Sequence, residues 1–390
     1  MASPTVTDVH ALVDSVVSQA RGEAITTVDL STAMSVAQLT FRSNANQTVA
    51  ALVQRIGQTI YSARPYARKF RGLLVDNQTW GNITQKTTPL PMATVEDLGL
   101  PSKMSNGTTV DMYKINKRES VSLFFYDQRS YDFSETLFRD QLRTAFTSPA
   151  EFERYLSALA TRRANDVEQS KEEMARMTLS NFIGGIVAEN KPARVVKVLS
   201  EYNAATGLSL DAKTIYQPAN FAPFMRWLWG RVQTLSDMLT EQTGLYHTNL
   251  NGYKDIIRHT PITSQRMYML SGMLNNVSTS VMSQTFHDDY LKKFKDVEPV
   301  NYWQSPASPE KINIKATYLL PTGETKTVAV EKSTVLGVLM DEEAAGYTIF
   351  DEFMGTTPIN TRGRFWNLDQ HHQARYWNDF SENGVVFLME

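Results

Sequence analysis

Residues 148–185 read SPAEFERYLSALATRRANDVEQSKEEMARMTLSNFIGG, and this stretch decides the fold. Ser148 is a favourable helix N-cap, and Pro149 suits the first helical position. Glu151 completes an S-x-x-E capping box. Three separate signals therefore mark one helix start.

The predicted helix runs from Pro149 to about Gly185, where the Gly184-Gly185 pair ends or bends it. At 1.5 Å per residue its length is roughly 55 to 60 Å, enough to span a domain. Apolar residues recur at helical spacing, and charged residues cover the other faces, which predicts one buried face with the rest in water. The apolar stripe holds Phe152, Leu156, Leu159, Val167, Met174 and Phe182, and the charged set is Arg154, Arg162, Glu168, Lys171 and Glu173.

Composition limits the classes of protein that fit. A chain of 390 residues that is 42% hydrophobic can bury a normal core, and its net charge of −2 argues against a dedicated nucleic-acid-binding protein. The absence of cysteine excludes disulfides, thiolate catalysis and zinc–thiolate sites. No signal-peptide pattern and no apolar run near eighteen residues occurs, so we expect synthesis in a cytoplasm and no membrane span.

The segment before the long helix changes character along its length. Short amphipathic helices are predicted over 8–20 and 47–60, whereas proline and glycine break any helix over 62–131. The clearest strand there is 119–126, which a turn can fold against 110–115. A loop of this length is uncommon in a compact domain and needs a partner surface, for which another subunit is the best candidate.

After the long helix, the pattern mixes helices with strands and predicts an α/β domain followed by strands near the end. An aromatic run at Phe224, Trp227 and Trp229 is typical of a core helix rather than a ligand platform. Pro321-Thr322-Gly323 predicts a hairpin turn. The predicted helices are 224–239 and 277–294, the hairpin strands are 312–320 and 326–330, and the final strands are 347–354, 365–368 and 385–388.

The common catalytic and phosphate-binding motifs do not occur. The best metal candidates are His287-Asp288-Asp289 and His371-His372, but neighbouring side chains diverge on a strand or a helix, so surface or capping roles are favoured. We therefore expect no metal and no cofactor. A metal-dependent hydrolase built on His287, Asp288 and His371 stays open as an alternative.

Charged residues in the long loop are the candidate contact residues. A basic stretch interleaved with Tyr66 and Phe70 can contact phosphates and stack on bases, or it can lie in water or against another subunit, which is favoured. A second group near the predicted hairpin can form salt bridges to a neighbour, although exposed pairs each contribute little. The predicted subunit-interface residues are Arg64, Arg68, Lys69, Arg71, Arg118, Glu119 and Arg129.

The order of parts resembles a known family. An N-terminal arm, an extended loop, a spine helix, an α/β domain and a return to strands is similar to the Hong Kong 97 fold of tailed-bacteriophage major capsid proteins. The chain looks most like the head proteins of small short-tailed phages of the phi-twenty-nine kind. Three stretches carry this resemblance: 46–60 (NQTVAALVQRIGQTI), 142–155 (LRTAFTSPAEFERY) and 361–366 (TRGRFW).

The resemblance implies an α+β fold of the Hong Kong 97 type with five parts. These are an N-terminal arm (1–61), an extended loop (62–135), the spine helix with the first part of a peripheral domain (136–189), an axial domain (190–340) and return strands of the peripheral domain (341–390). No immunoglobulin-like domain, N-terminal pro-region or crosslink is expected.

The implied function is structural rather than enzymatic: a major capsid protein that assembles into a closed icosahedral or prolate virion shell around double-stranded DNA. The implied partners are other copies in pentamers and hexamers, a separate scaffolding protein, a portal and DNA held by weak non-specific contacts, with no membrane. Assembly is expected in the host bacterial cytoplasm. An encapsulin, a cellular shell of the same fold that encloses enzyme cargo, is the alternative within shell proteins.

Overall fold

The computed structural model describes residues 64–74, 84–90, 113, 115, 117–125, 128–138, 149–249, 256–275 and 296–390. The helices predicted over 8–20, 47–60 and 277–294 lie outside these residues, as does the N-cap Ser148. Most of the strand predicted over 110–115 also lies outside them.

The long helix, α1, begins at Pro149 as the capping signals predict, and it contains 41 residues ending at Glu189. The pair Gly184-Gly185 does not end the helix, because α1 continues through both residues to Glu189. A bend at this pair stays a prediction. The glycines serve close packing: a Cβ atom at Gly185 would lie 2.4 Å from the Phe380 ring, and one at Gly184 would lie 2.9 Å from Ala316 Cβ.

The prediction that every charged residue of α1 lies in water is also wrong. Arg162 and Glu173 are exposed, but Lys171 is buried and its ammonium pairs with the Glu352 carboxylate. Burying a charge is tolerated when a partner of opposite charge accompanies it. The helical periodicity of the apolar residues therefore assigned Lys171 to a solvent-facing side of α1, although its side chain is buried.

Three strands precede α1 in the chain, and the remaining helices and strands described here follow it. Two further helices are α2 (Val198–Thr206) and α3 (Pro218–Leu239). The first six strands are β1 (Thr84–Pro89), β2 (Ser120–Phe125), β3 (Gln128–Phe138), β4 (Val195–Lys197), β5 (Gln265–Leu270) and β6 (Asp296–Val300). The later strands are β7 (Ile312–Leu319), β8 (Thr325–Lys332), β9 (Val335–Asp341), β10 (Ala345–Thr356), β11 (Phe365–Asn378) and β12 (Gly384–Leu388).

A five-stranded sheet with the order β4-β12-β9-β5-β6 holds the main core. β12 pairs parallel to β4 and antiparallel to β9, and β5 pairs antiparallel to β9 and parallel to β6. Every residue of β9 (VLGVLMD) and β12 (GVVFL) is buried, which is typical of strands covered on both faces. The three-stranded sheet has the order β10-β11-β3.

Helix α3 confirms that the aromatic run belongs to the core. Phe224 and Trp229 are buried there, and Trp227 is half-buried. The predicted hairpin is also confirmed, since β7 pairs with β8 from Ile312↔Lys332 to Leu319↔Thr325. Its turn places Gly323 at a φ of 86°, a conformation that favours glycine.

The strand predicted over 119–126 is confirmed as β2, and its described partner is β1. The register runs from Thr84↔Phe125 to Pro89↔Ser120. Val121 on β2 and Leu90 after β1 pack with Ile256 in a small hydrophobic cluster of their own. The three strands predicted near the end are confirmed as β10, β11 and β12.

The chain divides into two compact units. The described residues of the first unit are 64–68, 132–138, 149–170 and 353–371, and the second unit holds 69–74, 84–131, 171–352 and 372–390 as far as they are described. The predicted domain boundaries stay a proposal. Strand β12, from within 341–390, completes a sheet whose other strands lie within 190–341.

Candidate assembly site

We call the segment 64–71, which carries Arg64, Arg68, Lys69 and Arg71, the basic strip. In the first unit it begins as an extended segment held along α1. Asn165 binds its backbone twice: Oδ1 accepts from the Tyr66 amide at 2.7 Å and Nδ2 donates to the Arg64 carbonyl at 2.7 Å. Arg68 Nη1 lies 2.5 Å from Glu168 Oε1. These contacts fix the strip while the side chains of Arg64 and Tyr66 remain exposed.

The strip continues in the second unit. The Lys69 amide donates to Glu172 Oε2 at 3.0 Å, and Glu172 Oε1 lies 2.6 Å from Arg176 Nη2 one helical turn away. The Arg176 guanidinium lies over the rings of Phe70, at 4.9 Å, and Tyr302, at 4.0 Å. This buried pair anchors the strip. The sequence analysis missed it, although its i,i+4 spacing on a predicted helix is a signal that could have found it.

The predicted interface residues fall into two groups. Six have exposed side chains: Arg64, Lys69, Arg71, Arg118, Glu119 and Arg129. The seventh, Arg68, is only partly exposed and pairs with Glu168 within the chain. Contact with a neighbouring subunit stays a prediction for all seven.

In the first unit, Arg163 on α1 forms hydrogen bonds to strands β3 and β11. Arg163 donates from Nη2 to the carbonyls of Phe133, at 3.0 Å, and Leu368, at 2.9 Å, and from Nε to Gln370 Oε1 at 3.1 Å. One buried guanidinium therefore joins α1 to β3 and β11.

Lys86 on β1 is the centre of a charged cluster in the second unit. Its Nζ atom lies 2.6 Å from Glu382 Oε1, 2.9 Å from Glu343 Oε2 and 3.0 Å from Asp379 Oδ2. Arg258 adds a second cation, with Nη2 at 3.1 Å from Glu382 Oε1 and at 3.0 Å from Thr88 Oγ1. The cluster thus attaches β1 to the turn before β12.

The two partners in this cluster titrate differently. Burial would lower the pKa of Lys86, but Asp379 and Glu382 raise it above its ordinary value, so the group stays an ammonium. Burial raises the pKa of Glu382 to about 7, and the negative charge of Asp379 adds to the rise, although Lys86 and Arg258 oppose it. Removal of this carboxylate from water outweighs the two cations beside it, so Glu382 is held partly protonated near neutrality.

A second buried ion pair closes the end of α1. Arg194 is fully buried, and its Nη1 atom lies 2.5 Å from Glu189 Oε2 and 2.9 Å from Thr248 Oγ1. Its Nε atom donates to the Gly384 carbonyl at 3.2 Å. The guanidinium therefore links the last residue of α1 to β12.

The architecture described above is shared with a known protein family. The family model of Phi29-like phage major capsid proteins matches residues 9–388. The chain belongs to the Phi29-like phage major capsid protein family. A comparison with curated proteins found no match.

Solved structures agree on the fold of this capsid protein. A chain from the capsid structure of Staphylococcus phage Andhra is similar with a TM-score of 0.58 and 10% identity, over 86% of this chain and 88% of that one. A chain from the structure of the head fiber and inner core protein of native bacteriophage P68 has a TM-score of 0.55 and 10% identity, with the same coverage. The mixed α and β fold is therefore the Hong Kong 97 type.

The family is one of viral shell proteins, so this capsid protein is structural rather than enzymatic and forms the virion shell by assembling with copies of itself. The family assignment therefore stands against the hydrolase alternative built on His287, Asp288 and His371. His287 and Asp288 lie outside the described residues, and His371 Nδ1 contacts Asp132 Oδ1 at 2.6 Å.

Across the residues that the structure describes, no group of three or more histidine, aspartate or glutamate side chains is arranged to hold a metal ion. Among the helices of the same residues, none is both long and apolar enough to cross a membrane.

Proposed function

We propose that this capsid protein forms a closed icosahedral or prolate head around double-stranded DNA. A separate scaffolding protein directs assembly in the host bacterial cytoplasm, and a portal occupies one opening of the shell. Within each subunit, residues 190–340 together with β12 form the axial domain, and α1 with β10 and β11 forms the peripheral domain. Residues 62–135 lap over a neighbour.

Exposed apolar side chains in the extended loop support the lapping contact most strongly. Tyr113 and Ile115 are 87% and 90% exposed, and Phe124 on β2 is 54% exposed. A soluble monomer gains nothing from presenting such side chains to water, and a partner surface would cover them.

The charge of the chain supports general rather than specific DNA contacts. A net charge of −2 gives little long-range attraction for phosphates, so DNA is retained by enclosure and by weak contacts. The exposed side chains of Arg64, Lys69 and Arg71 face neighbouring subunits in this proposal.

Co-expression with the scaffolding protein of the same phage tests the proposal. Negative-stain electron microscopy should find uniform shells, and particles purified from infected cells should contain nuclease-protected double-stranded DNA. Shells filled with protein cargo and lacking DNA would instead identify a compartment of the encapsulin type. A chain that stays a monomer with scaffold present would refute shell assembly itself.

A further inference from the structure

The hairpin formed by β7 and β8 is a two-stranded sheet whose β7 edge is closed by side chains. Asn181 Oδ1 accepts a hydrogen bond from the Thr317 amide at 2.8 Å, and Asn181 Nδ2 donates to the Thr317 carbonyl at 3.0 Å. Gln304 makes the same two contacts with Asn313, at 2.8 and 3.2 Å. Two side-chain amides therefore take the place of a neighbouring strand along β7.

The same contacts determine which backbone groups of β8 point outward. Successive residues of an antiparallel strand direct their amides and carbonyls to opposite edges of that strand. Because Asn313 and Thr317 point away from β8, the residues opposite them and their alternates point away from β7, and these are Thr325, Thr327, Ala329 and Glu331. Among the residues that the structure describes, none forms a hydrogen bond with the amides or carbonyls of these four. We call this row of backbone groups the free edge of β8.

The free edge of β8 is long and regular. The strand contains eight residues without proline, and all of them pair with β7 in one continuous register. Its four outward residues are exposed and extend over about 20 Å. Proteins usually shorten, twist or cover such an edge, because it can pair with an extended chain. Alternating donors and acceptors at this spacing are complementary to the backbone of another strand.

Charges of both signs surround the free edge, so its recognition depends on the backbone. Lys311 Nζ lies 2.6 Å from Glu331 Oε1. Lys332 Nζ lies 2.5 Å from Glu390 Oε1. The other exposed charged side chains of the hairpin are Lys315, Glu324 and Lys326. A partner segment without net charge is therefore neither strongly attracted nor repelled, and its binding should depend little on salt.

The side chains of β8 define what such a segment looks like. On the face toward the core, Val330 is buried and Val328 is half-buried, so an aliphatic residue beside Val328 would complete its burial. On the outer face, Thr327 and Ala329 are small and exposed, so polar residues fit beside them. The matching segment alternates between aliphatic and polar residues, as a half-buried strand does.

We propose that an extended segment of a different protein adds to the free edge of β8 as a further strand. The β7 edge of a second copy cannot receive β8, because Asn181 and Gln304 already occupy that edge. Pairing of β8 with β8 would bring the folded bodies behind two hairpins side by side, whereas a narrow segment reaches the edge without that crowding. This inference rests on the proposed function, which requires partner proteins on the shell, and it names the edge that one of them uses.

A synthetic peptide tests the edge on the purified full-length chain. The probe is fluorescein-labelled INIKATYL, the sequence of β7 (312–319), which alternates aliphatic and polar residues. Fluorescence anisotropy should show saturable binding that changes little between low and high salt. Absence of binding, or binding that vanishes at high salt, would overturn recognition through the backbone.

Methylated forms of the probe establish how it binds. Residues that pair directly across two antiparallel strands have side chains on the same face of the sheet. The peptide should therefore present to Thr327 and Ala329 the amides of its polar residues, Asn, Lys and Thr. N-methylation of these three amides should abolish binding, and N-methylation of the Ile, Ala and Tyr amides that follow them should not. Equal effects of the two methylation patterns would contradict strand addition.

Proline at Ala329 alters the free edge from the side of the protein. The Ala329 amide points away from β7, so Ala329→Pro removes an outward donor without removing a hydrogen bond between β7 and β8. We expect the variant to bind the probe about tenfold more weakly or less, because a donor is lost and the ring obstructs the edge. The matched control is Ala329→Ser, which keeps the amide and should bind as the wild type does. Unchanged binding by Ala329→Pro would refute the site, and the methylated peptides decide the question if this variant does not fold.

A photo-crosslink in assembled particles tells a different protein from a second copy. Benzoylphenylalanine at position 327, in particles purified from infected cells, should join the subunit to a polypeptide of another mass, and INIKATYL should compete with this product. A dimer of subunits would show that the edge meets a second copy, and irradiated subunits that all stay monomeric would show that it meets nothing. Either result would overturn the proposal. Failure of the unmodified chain to form shells would instead refute the proposed function, since peptide binding is measured on the purified chain.

Discussion

Lys86 and Asp379 form a contact in which an ammonium on β1 lies 3.0 Å from a fully buried carboxylate next to the main core. With Glu343 and Glu382 around the same ammonium, this contact ties the extended-loop strands to the second unit. The antiparallel pair β1 and β2 is therefore held to the second unit by the ion pairs of Lys86 as well as by its small hydrophobic cluster.

Replacement of Lys86 by methionine should loosen this anchor. The buried carboxylates of Asp379 and Glu382 would lose a cation, and breaking a mostly buried ion pair from one side costs about 3 kcal/mol. We expect the midpoint of urea unfolding to fall and amide hydrogen exchange over residues 84–90 to quicken. Lys326→Met, on exposed β8, is the control and should change stability by less than about 0.5 kcal/mol. Equal effects of the two substitutions would show that Lys86 anchors nothing.

Glu382 should make the stability of the subunit depend on pH near neutrality. Its pKa is about 7 when folded and near 4.5 ordinarily, so the folded state binds more protons between these values. The stability contributed by the protonated form is therefore complete below about pH 4.5 and is lost as pH rises through 7. Relative to Glu382→Gln, which cannot ionise, the wild type should lose up to about 3 kcal/mol between pH 5 and pH 8. If the unfolding free energies of the wild type and of Glu382→Gln change in parallel with pH, the raised pKa of Glu382 is refuted.

Substitution by alanine should change the stability of the protein in opposite directions at Gly185 on α1 and at Gly230 on α3. A Cβ atom at Gly185 would lie 2.4 Å from the Phe380 ring, so Gly185→Ala should overpack the core and destabilise by about 1 to 3 kcal/mol. At Gly230 on α3 a Cβ atom meets nothing within 4 Å, so Gly230→Ala should stabilise by about 0.5 to 1 kcal/mol through helix propensity. Thermal unfolding of both variants measures the difference, and a stabilising Gly185→Ala would show that the close contact is absent.

The basic strip should matter for assembly and not for folding. Arg64→Glu/Arg71→Glu reverses two exposed charges, so we expect an unchanged unfolding midpoint and a several-fold lower yield of shells on a sizing column. Lys315→Glu/Lys326→Glu reverses two exposed charges on β7 and β8 and provides the matched control. If both pairs lower the yield equally, net charge rather than the strip is responsible.

Local signals predicted the elements whose causes are local. The capping box fixed the start of α1 at Pro149, and the Pro321-Thr322-Gly323 turn joined β7 to β8. Apolar content placed Phe224 and Trp229 in the core. In each case the deciding residues are neighbours in the chain, so their spacing carries the information.

The sequence did not reveal the sites that topology assembles. Lys86 meets Glu343, Asp379 and Glu382 only because β1 lies beside the turn before β12, and no spacing along the chain encodes that. Gly184 and Gly185 look like helix breakers until the close approach of Ala316 and Phe380 explains them. Lys171 looks like a solvent-facing residue until Glu352 supplies its partner.

Electron microscopy of the purified chain, expressed with and without its scaffolding protein and run beside a sizing column, tests the central claim most directly. Closed shells or ring-shaped capsomers of uniform size are the predicted result. A monomer or small oligomer under every condition, with scaffold present, would contradict the account.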